Sequence, residues 1–275
     1  MTAYSDHSFA RFQEILRRET GIVIEDSKRY LVESRLARLI ADERLSGLDG
    51  VVKKMTGPGG NAFKARVIDM MTTNETLWFR DSYPFRALES VIFPELDAAR
   101  RRLRIWSAAC SSGQEPYSIA MAARRYQGRQ GRVGCDPNIL ATDISDAMLE
   151  KARRGIYDEF SISRGLGPEL RDAFFERQPD GWQITDSLRR SVNFRKHNLL
   201  ESFSALGRFD VIFLRNVLIY FSQEVRDDIL GRLVRQLAPG GFLVLGASES
   251  LGAVSDRFEL VRVPGGGIIY RLKAG

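Results

Sequence analysis

From about residue 103 onward, short apolar runs alternate with helical patterns, and no other feature restricts the fold of this chain as much. The extended runs fall at 103–109, 138–143, 192–197, 209–214 and 241–247, and helical periodicity fills 115–126, 145–154 and 222–237. Strand–helix–strand units cross over with one hand, so their repetition predicts a mostly parallel sheet covered on both faces. The chain then ends in two apolar runs, 258–263 and 268–272, joined by Pro264-Gly-Gly-Gly267. Two strands across such a turn read as an antiparallel hairpin.

The first part of the chain has a different period. Residues 5–72 read as helix. Phe9, Phe12, Ile15 and Leu16 recur as one buried face, and Gly21 is a natural stop. Ile22-Val23-Ile24 is a short extended link. Ser27 is placed to cap a second helix running to about Leu45, with Leu31, Leu36, Leu39 and Ile40 as its apolar stripe. Gly57-Pro58-Gly59-Gly60 breaks the chain before a helix over about 61–72. A further helix carrying Phe85, Leu88, Val91 and Ile92 is expected to stop near Pro94. The expected division is a helical domain, 1–75, and an α/β domain, 76–275.

Composition excludes several classes. A chain of 275 residues, 44% hydrophobic and 28% charged, can bury a full core. No apolar run approaches the roughly 20 residues that cross a bilayer. The first residues, Met-Thr-Ala-Tyr-Ser-Asp-His, lack the positive and apolar stretches of a signal peptide, so a cytoplasmic protein without membrane insertion is expected. Two cysteines, Cys110 and Cys135, are too few for a disulfide framework, and two histidines, His7 and His197, do not form a metal cluster. The net charge of +6 suits an acidic partner. Its basic residues are spread along the chain, so an ordinary solvated surface stays open as the alternative.

Two stretches point to a cofactor. Arg-Ile-Trp-Ser-Ala-Ala-Cys-Ser-Ser-Gly-Gln-Glu-Pro-Tyr-Ser-Ile-Ala (104–120) is a strand, a turn of small residues and the start of a helix. Ile-Leu-Ala-Thr-Asp-Ile-Ser (139–145) is a second strand that ends on Asp143. An acid at the tip of the next strand is how such units hold the ribose of a nucleoside. The Gly-x-Gly-x-x-Gly of dinucleotide folds is absent. The turn carries Gly113 and then Glu115, whose carboxylate would repel a pyrophosphate but suits an ammonium group. A nucleoside bearing an amino acid, S-adenosylmethionine, is the cofactor implied.

Further blocks extend the pattern. Phe-Asp-Val-Ile-Phe-Leu-Arg-Asn-Val-Leu-Ile-Tyr-Phe (209–221) is a buried strand with Arg215 and Asn216 at its tip. Met-Thr-Thr-Asn-Glu-Thr-Leu-Trp-Phe-Arg occupies 71–80, and Asn198-Leu199-Leu200 follows the third strand. In order and spacing, these five blocks resemble the chemotaxis receptor methyltransferases, the CheR family, from about residue 8 to the C-terminus. The resemblance implies a class I SAM-dependent methyltransferase fold: α/β and Rossmann-like, with a mostly parallel sheet and a C-terminal antiparallel hairpin, preceded by a small all-helical domain that recognises receptors. Residues 157–190 interrupt the alternation with a helix over about 167–175 and a hairpin around Pro179-Asp-Gly181. A small β-subdomain is inserted there in the family, and in some members it captures a receptor-tail pentapeptide by strand addition. The segment here is about three residues shorter and poorer in glycine than in those members, so no pentapeptide tether is expected.

The resemblance also assigns site residues. Asp143 would accept from the ribose hydroxyls; its plain alternative is a first-turn or capping acid for the helix at 145. Glu115 would sit near the methionine end, with a first-turn acid as its alternative. Gly-Gln-Glu-Pro-Tyr keeps four of the five positions of the family's Gly-Glu-Glu-Pro-Tyr and departs at Gln114. Asn198 and the Leu199 backbone would read adenine, although a loop asparagine also bonds its own backbone. Asn74, Thr76 and Arg80 would fold over the cofactor, with Arg80 also reaching the reacting centre; an ion pair with Asp81 is its alternative. Asn216 and Val217 match a cofactor-contacting pair. Tyr220 matches an active-site tyrosine, against a core aromatic beside Phe221. His197 is left as structural, and Cys110 as a small hydrophobe lining the turn.

The reaction implied is methyl transfer to a glutamate side chain, giving a glutamate 5-O-methyl ester and S-adenosylhomocysteine. A carboxylate with a pKa of about 4.3 is ionised at neutral pH and needs no general base, so the lack of an obvious catalytic His, Cys or Lys is consistent. The expected substrate is the Glu- and Gln-rich methylation helix of a transmembrane chemoreceptor. Lys28, Arg35 and Arg38 are read as one basic face of the second helix that docks it, with a solvated face as the alternative. A monomer is expected. A nucleic-acid methyltransferase is disfavoured because Arg-Asn-Val-Leu stands where an Asn-Pro-Pro-Tyr block would grip a flipped base, so no nucleic-acid partner is expected. A non-catalytic cofactor-sensing adaptor is disfavoured by intact Arg80, Tyr220 and Asp143.

Overall fold

A computed structural model of the chain describes residues 6–97, 102–130 and 136–274. Cys135 lies outside them, so the reading of the two cysteines is followed only at Cys110. The chain divides into two compact units: Met1–Thr73 with Tyr220–Val225, and Asn74–Ile219 with Arg226–Gly275. Among the described residues no helix is long and apolar enough to cross a membrane.

The smaller unit is built on four helices. In α1 (Asp6–Thr20) the face of Phe9, Phe12, Ile15 and Leu16 is buried as the spacing predicts. Gly21, with φ of 77°, ends it. Ile22 then forms an antiparallel bridge with Phe221, and the Val23 N–H donates to the Tyr220 carbonyl (2.9 Å). Ser27 does not cap the next helix. Its hydroxyl turns to Glu25 at 3.4 Å, residues Asp26–Lys28 make a single 3₁₀ turn, and α2 spans Arg29–Asp42. Lys28 therefore precedes α2 and does not share the helical spacing of Arg35 and Arg38. Val32, Leu36 and Leu39 form the fully buried stripe, with Leu31 and Ile40 at its margins. Within the stretch read as helix, a separate α3 (Leu48–Thr56), not placed individually from the sequence, buries Val51, Val52 and Met55. The last helix of the unit, α4, spans Asn61–Met71.

The larger unit opens with α5 (Tyr83–Ala87), a wide π turn at Leu88–Ile92 and α6 (Phe93–Asp97). Pro94 does not stop the helix. It follows a turn already out of α register, where the missing N–H removes no regular bond. Next come β1 (Arg104–Ala108), α7 (Gln114–Arg129), β2 (Asn138–Asp143) and α8 (Asp146–Arg154). The 157–190 region holds β3 (Ile156–Tyr157), α9 (Glu159–Ser163), α10 (Pro168–Phe174), β4 (Phe175–Gln178), β5 (Gly181–Ile184) and α11 (Asp186–Arg189). Strands β3, β5 and β4 form a small antiparallel sheet; the expected β4–β5 hairpin is present, but its two turn residues are Pro179 and Asp180, and Gly181 opens β5 opposite Gln178. The chain continues through β6 (Val192–Lys196), β7 (Phe209–Leu214), α12 (Gln223–Gln236), β8 (Leu237–Leu245), β9 (Phe258–Arg262) and β10 (Ile268–Leu272).

The main sheet has the order β6-β2-β1-β7-β8-β10-β9. Its first five strands are parallel, and β10 runs antiparallel to both β8 and β9, which is the anticipated closing hairpin. All six residues of β7 are buried, as a central strand covered on both faces requires. Strand β8 begins four residues earlier than its apolar run suggests. The register slips between Phe209 and Val211 of β7, where Pro239-Gly240-Gly241 bulge out of the ladder. Order reverses between β1 and β7: the chain steps from β1 outward to β2 and β6, then returns to β7. Such a switch point leaves a crevice at the carboxyl ends of the strands.

Candidate functional site

The tips of β1 and β7 are where the larger unit concentrates buried charge. Arg215, the residue after β7, has a side chain only 1% exposed. One terminal nitrogen donates to Glu115 Oε2 (2.8 Å) and the other to Asp81 Oδ2 (2.7 Å) and the Arg80 carbonyl (2.8 Å). Its Nε has no partner among the described residues. Burial alone would lower the pKa of the guanidinium; Glu115 and Asp81 outweigh it and raise the pKa. Glu115 is held on its other oxygen by Ser107 Oγ (2.8 Å) of β1. One buried guanidinium thus joins three sequence blocks: the 71–81 segment, the start of α7 and the tip of β7.

The turn from β1 into α7 is tight for a steric reason. Gly113 has φ of 93°, and a Cβ there would lie 2.9 Å from the Ala152 Cβ and 3.2 Å from the Tyr157 hydroxyl. Ala109 and Ser111 also adopt left-handed backbone, as do Phe79, Asp81 and Ser82 in the segment above and Asn216 after β7. Six of the seven non-glycine residues with positive φ in the described chain lie in these three loops, the seventh being Arg44. Strain of this kind persists only where surrounding bonds over-determine it, and it gathers at functional sites. The bonds are present. The Ser111 N–H donates to Asp143 Oδ2 (2.7 Å), and Ser111 Oγ donates to the Asn74 carbonyl (3.0 Å).

Asp143 ends β2, 6% exposed, with its second oxygen accepting from the Ser145 N–H (2.9 Å). Ser145, not Asp143, caps α8 by accepting from the Met148 N–H (3.2 Å). Asn198 does make the local bond weighed against its reading of adenine, its Oδ1 accepting from the Leu200 N–H (3.0 Å). Leu199 is buried, and its carbonyl accepts from Arg232 (2.7 Å). Thr76 and Arg80 are half-buried, and Arg80 does not pair with Asp81, whose carboxylate is taken by Arg215. Instead Arg80 Nη1 donates to the Glu75 carbonyl (3.0 Å), folding the side chain back on its own loop. Asn216 and Val217 follow Arg215 directly. Tyr220 is half-buried and belongs with the smaller unit, where its carbonyl accepts from Val23. Cys110 is buried, and burial first, then Asp143 and Glu115, push its thiol pKa well up, which suits a small apolar lining residue and not a thiolate nucleophile.

Of the three residues read as a docking face, Arg38 is exposed and Arg35 is not free. Arg35 Nη1 donates to the Met71 carbonyl (2.6 Å) and its Nη2 to Thr73 Oγ1 (2.9 Å), which caps the end of α4. Sequence reasoning left out two residues that the structure makes central. Arg215 is visible as the charge that follows the apolar run of β7, although no role was assigned to it there. Glu249, which bonds the loop after β7, stands in an ordinary Ser-Glu-Ser stretch with nothing in its spacing to mark it.

The chain matches the family description "CheR methyltransferase, all-alpha domain" over residues 7–72 and "CheR methyltransferase, SAM binding domain" over residues 74–266. It is 48% identical over 270 residues to Chemotaxis protein methyltransferase 1 of Vibrio cholerae, covering 98% of each chain. It is 46% identical over 269 residues to Chemotaxis protein methyltransferase 1 of Pseudomonas aeruginosa, covering 96% of this chain and 97% of that one. Among solved structures, a TehB-like SAM-dependent methyltransferase from Corynebacterium glutamicum aligns at 16% identity with a TM-score of 0.37, covering 78% of this chain and 97% of that one.

Proposed function

The chain belongs to the CheR methyltransferase family, whose larger domain binds S-adenosylmethionine, and from that premise we propose a specific reaction. The protein methylates the side-chain carboxylate of selected glutamates in the cytoplasmic helices of chemoreceptors, leaving glutamate 5-O-methyl esters. The observation that carries this reading is the charge of the strand tips. Asp81, Glu115 and Asp143 stand against the single buried guanidinium of Arg215. A donor set with this excess of carboxylates fits a cofactor that brings an ammonium, a sulfonium and a ribose diol, and it would repel a pyrophosphate.

When bound, S-adenosylmethionine supplies an electrophilic methyl group on sulfur. Asp143 is proposed to accept from the ribose hydroxyls, and its bonds from Ser111 and Ser145 fix the carboxylate for that task. Glu115 serves the amino-acid end, oriented by Ser107 and Arg215. Asn198 and Leu199 serve the adenine end. Asn74 and Thr76 close the site from the 71–81 segment, while Asn216 and Val217 close it from the β7 tip. The incoming glutamate is already an anion, so no group need take its proton. What the chain must supply is alignment and the removal of water from that anion. Arg80 and Tyr220 are proposed to orient it. Arg80, bonded to its own loop and not to an acid, keeps donor capacity for a substrate carboxylate. On the smaller unit, exposed Arg38 of α2 and exposed Lys28 just before it are proposed to meet an acidic receptor helix, while Arg35 is held back by its bonds to the end of α4. No pentapeptide tether is proposed, because β4 and β5 are only four residues each and are joined by a two-residue turn.

The test is methylation of receptor-containing membranes with S-adenosylmethionine tritiated on the methyl group, followed by alkali. An ester releases its label as volatile methanol, and this is the expected result. Label that stays on protein through alkali would mean an N- or S-methyl product and would remove the glutamate from the account.

A further inference from the structure

The loop leaving β7 is braced from an unexpected side. Four main-chain N–H groups converge on one carboxylate, that of Glu249. Its Oε2 accepts from Gly246 (2.8 Å) and Asn216 (2.8 Å), and its Oε1 from Val217 (2.9 Å) and Leu218 (2.7 Å). Three consecutive N–H groups pointing the same way repel one another unless an anion collects them. The same residues carry unusual backbone: Asn216 has φ of 57°, and Leu218–Tyr220 form a 3₁₀ turn. Gly246 completes the fit. A Cβ there would lie 2.6 Å from Glu249 Oε2 and 2.9 Å from the Asn216 nitrogen, so only glycine lets the carboxylate approach.

We infer that Glu249 is a positioning residue for methyl transfer: its carboxylate fixes the one backbone path that presents Asn216 and Val217 at the strand tip and delivers the chain to Tyr220. This rests on the roles proposed above for those three residues. Only a carboxylate answers the requirement. It offers about four acceptor sites on two oxygens and no donor, whereas the amide of glutamine would aim N–H groups at two of the four donors. Aspartate is one methylene shorter and cannot span from the Gly246 turn to the β7 tip with both oxygens. Glu249 is therefore distinguished from a plain structural acid by what it holds, which is the segment between the cofactor-side and substrate-side residues.

The experiment is Glu249→Gln in the full chain, read three ways. Amide hydrogen exchange of the cofactor-free protein should show at least about tenfold faster exchange at 216–218, because the loop opens locally, with the rest of the chain unchanged. Calorimetry should show S-adenosylhomocysteine binding about tenfold more weakly. Turnover at saturating cofactor and receptor should fall roughly a hundredfold, and in a Tyr220→Phe background the same substitution should cost turnover far less, since both act through one side chain. Gly246→Ala, which keeps Glu249 but whose Cβ would crowd its Oε2, should reproduce the exchange result at Val217 and Leu218, away from the Asn216 nitrogen that the same Cβ also approaches, and covers the case in which Glu249→Gln does not fold. Unchanged exchange at 216–218, or fully multiplicative losses in the double variant, would overturn the assignment. A wild-type enzyme that fails to methylate receptors would defeat the proposed function and leave the exchange result standing, so the two failures are distinguishable.

Discussion

The two units hold their arginines in opposite ways. On α2 of the smaller unit, Arg38 is 90% exposed and faces Asp42 at 3.6 Å across one helical turn. At the tip of β7, Arg215 is 1% exposed and grips two carboxylates and a carbonyl within 2.8 Å. The first arrangement contributes little to stability and leaves charge available to a partner. The second leaves almost nothing available and fixes three loops instead. Arg35 shows that a helix face assigned by spacing can mix both kinds, since it caps α4 while sitting one turn from Arg38. A basic residue left open to solvent and one that ties loops together are thus told apart by partners and burial.

The sharpest way to break this contrast is Arg215→Met. Removing the guanidinium strands Glu115 and Asp81, and breaking a buried pair from one side costs about 3–5 kcal/mol. The urea midpoint should fall accordingly, and S-adenosylhomocysteine affinity should fall with it. A midpoint within error of wild type would mean that Arg215 is no more structural than Arg38.

A smaller effect separates Arg35 from Arg38. Arg35→Ala removes the cap on α4 and should cost on the order of 1 kcal/mol with no receptor present. Arg38→Glu should leave the unfolding free energy from urea titration within about 0.5 kcal/mol, raise the apparent KM for receptor, and leave cofactor affinity unchanged. Equal stability of both variants would erase the distinction, and a normal receptor KM for Arg38→Glu would make α2 a solvated face.

The smallest expected effect concerns His197, the histidine left as structural. It is buried beside Trp106 and Phe203, and its Nε2 has no partner among the described residues. Burial, then Arg195 and Arg232, depress its pKa below the ordinary 6.5, and Glu201 at 3.5 Å only partly opposes this. A base with a depressed folded-state pKa binds its proton more readily in the unfolded chain. Stability should therefore fall as pH drops through 6.5 and level off once it is below the folded-state value. His197→Phe should flatten that part of the pH–stability curve, and an unchanged slope would place the titration elsewhere.

Much of the larger unit was legible because its periodicities are strong. The strands at 138–143 and 209–214 and the closing hairpin appear where the alternation placed them. Local preference misled where packing or register prevailed: Ser27 looks like a cap but bonds Glu25, and Pro94 looks like a stop but sits inside α6 after the π turn. The strand-tip position of Asp143 was legible in the alternation. Glu249 was not, because its role consists of backbone groups from a loop over 30 residues away, and main-chain donors leave no mark in a sequence.

The placement of the cofactor at the strand tips is tested most directly by calorimetric titration of S-adenosylhomocysteine into wild type and Asp143→Ala. The substitution removes two hydrogen bonds to a charged acceptor, each worth about 1.5–3 kcal/mol, so affinity should fall at least tenfold, with enzyme that remains folded. An unchanged dissociation constant would contradict the account, because the ribose would then have to be held by some residue other than the acid at the end of β2.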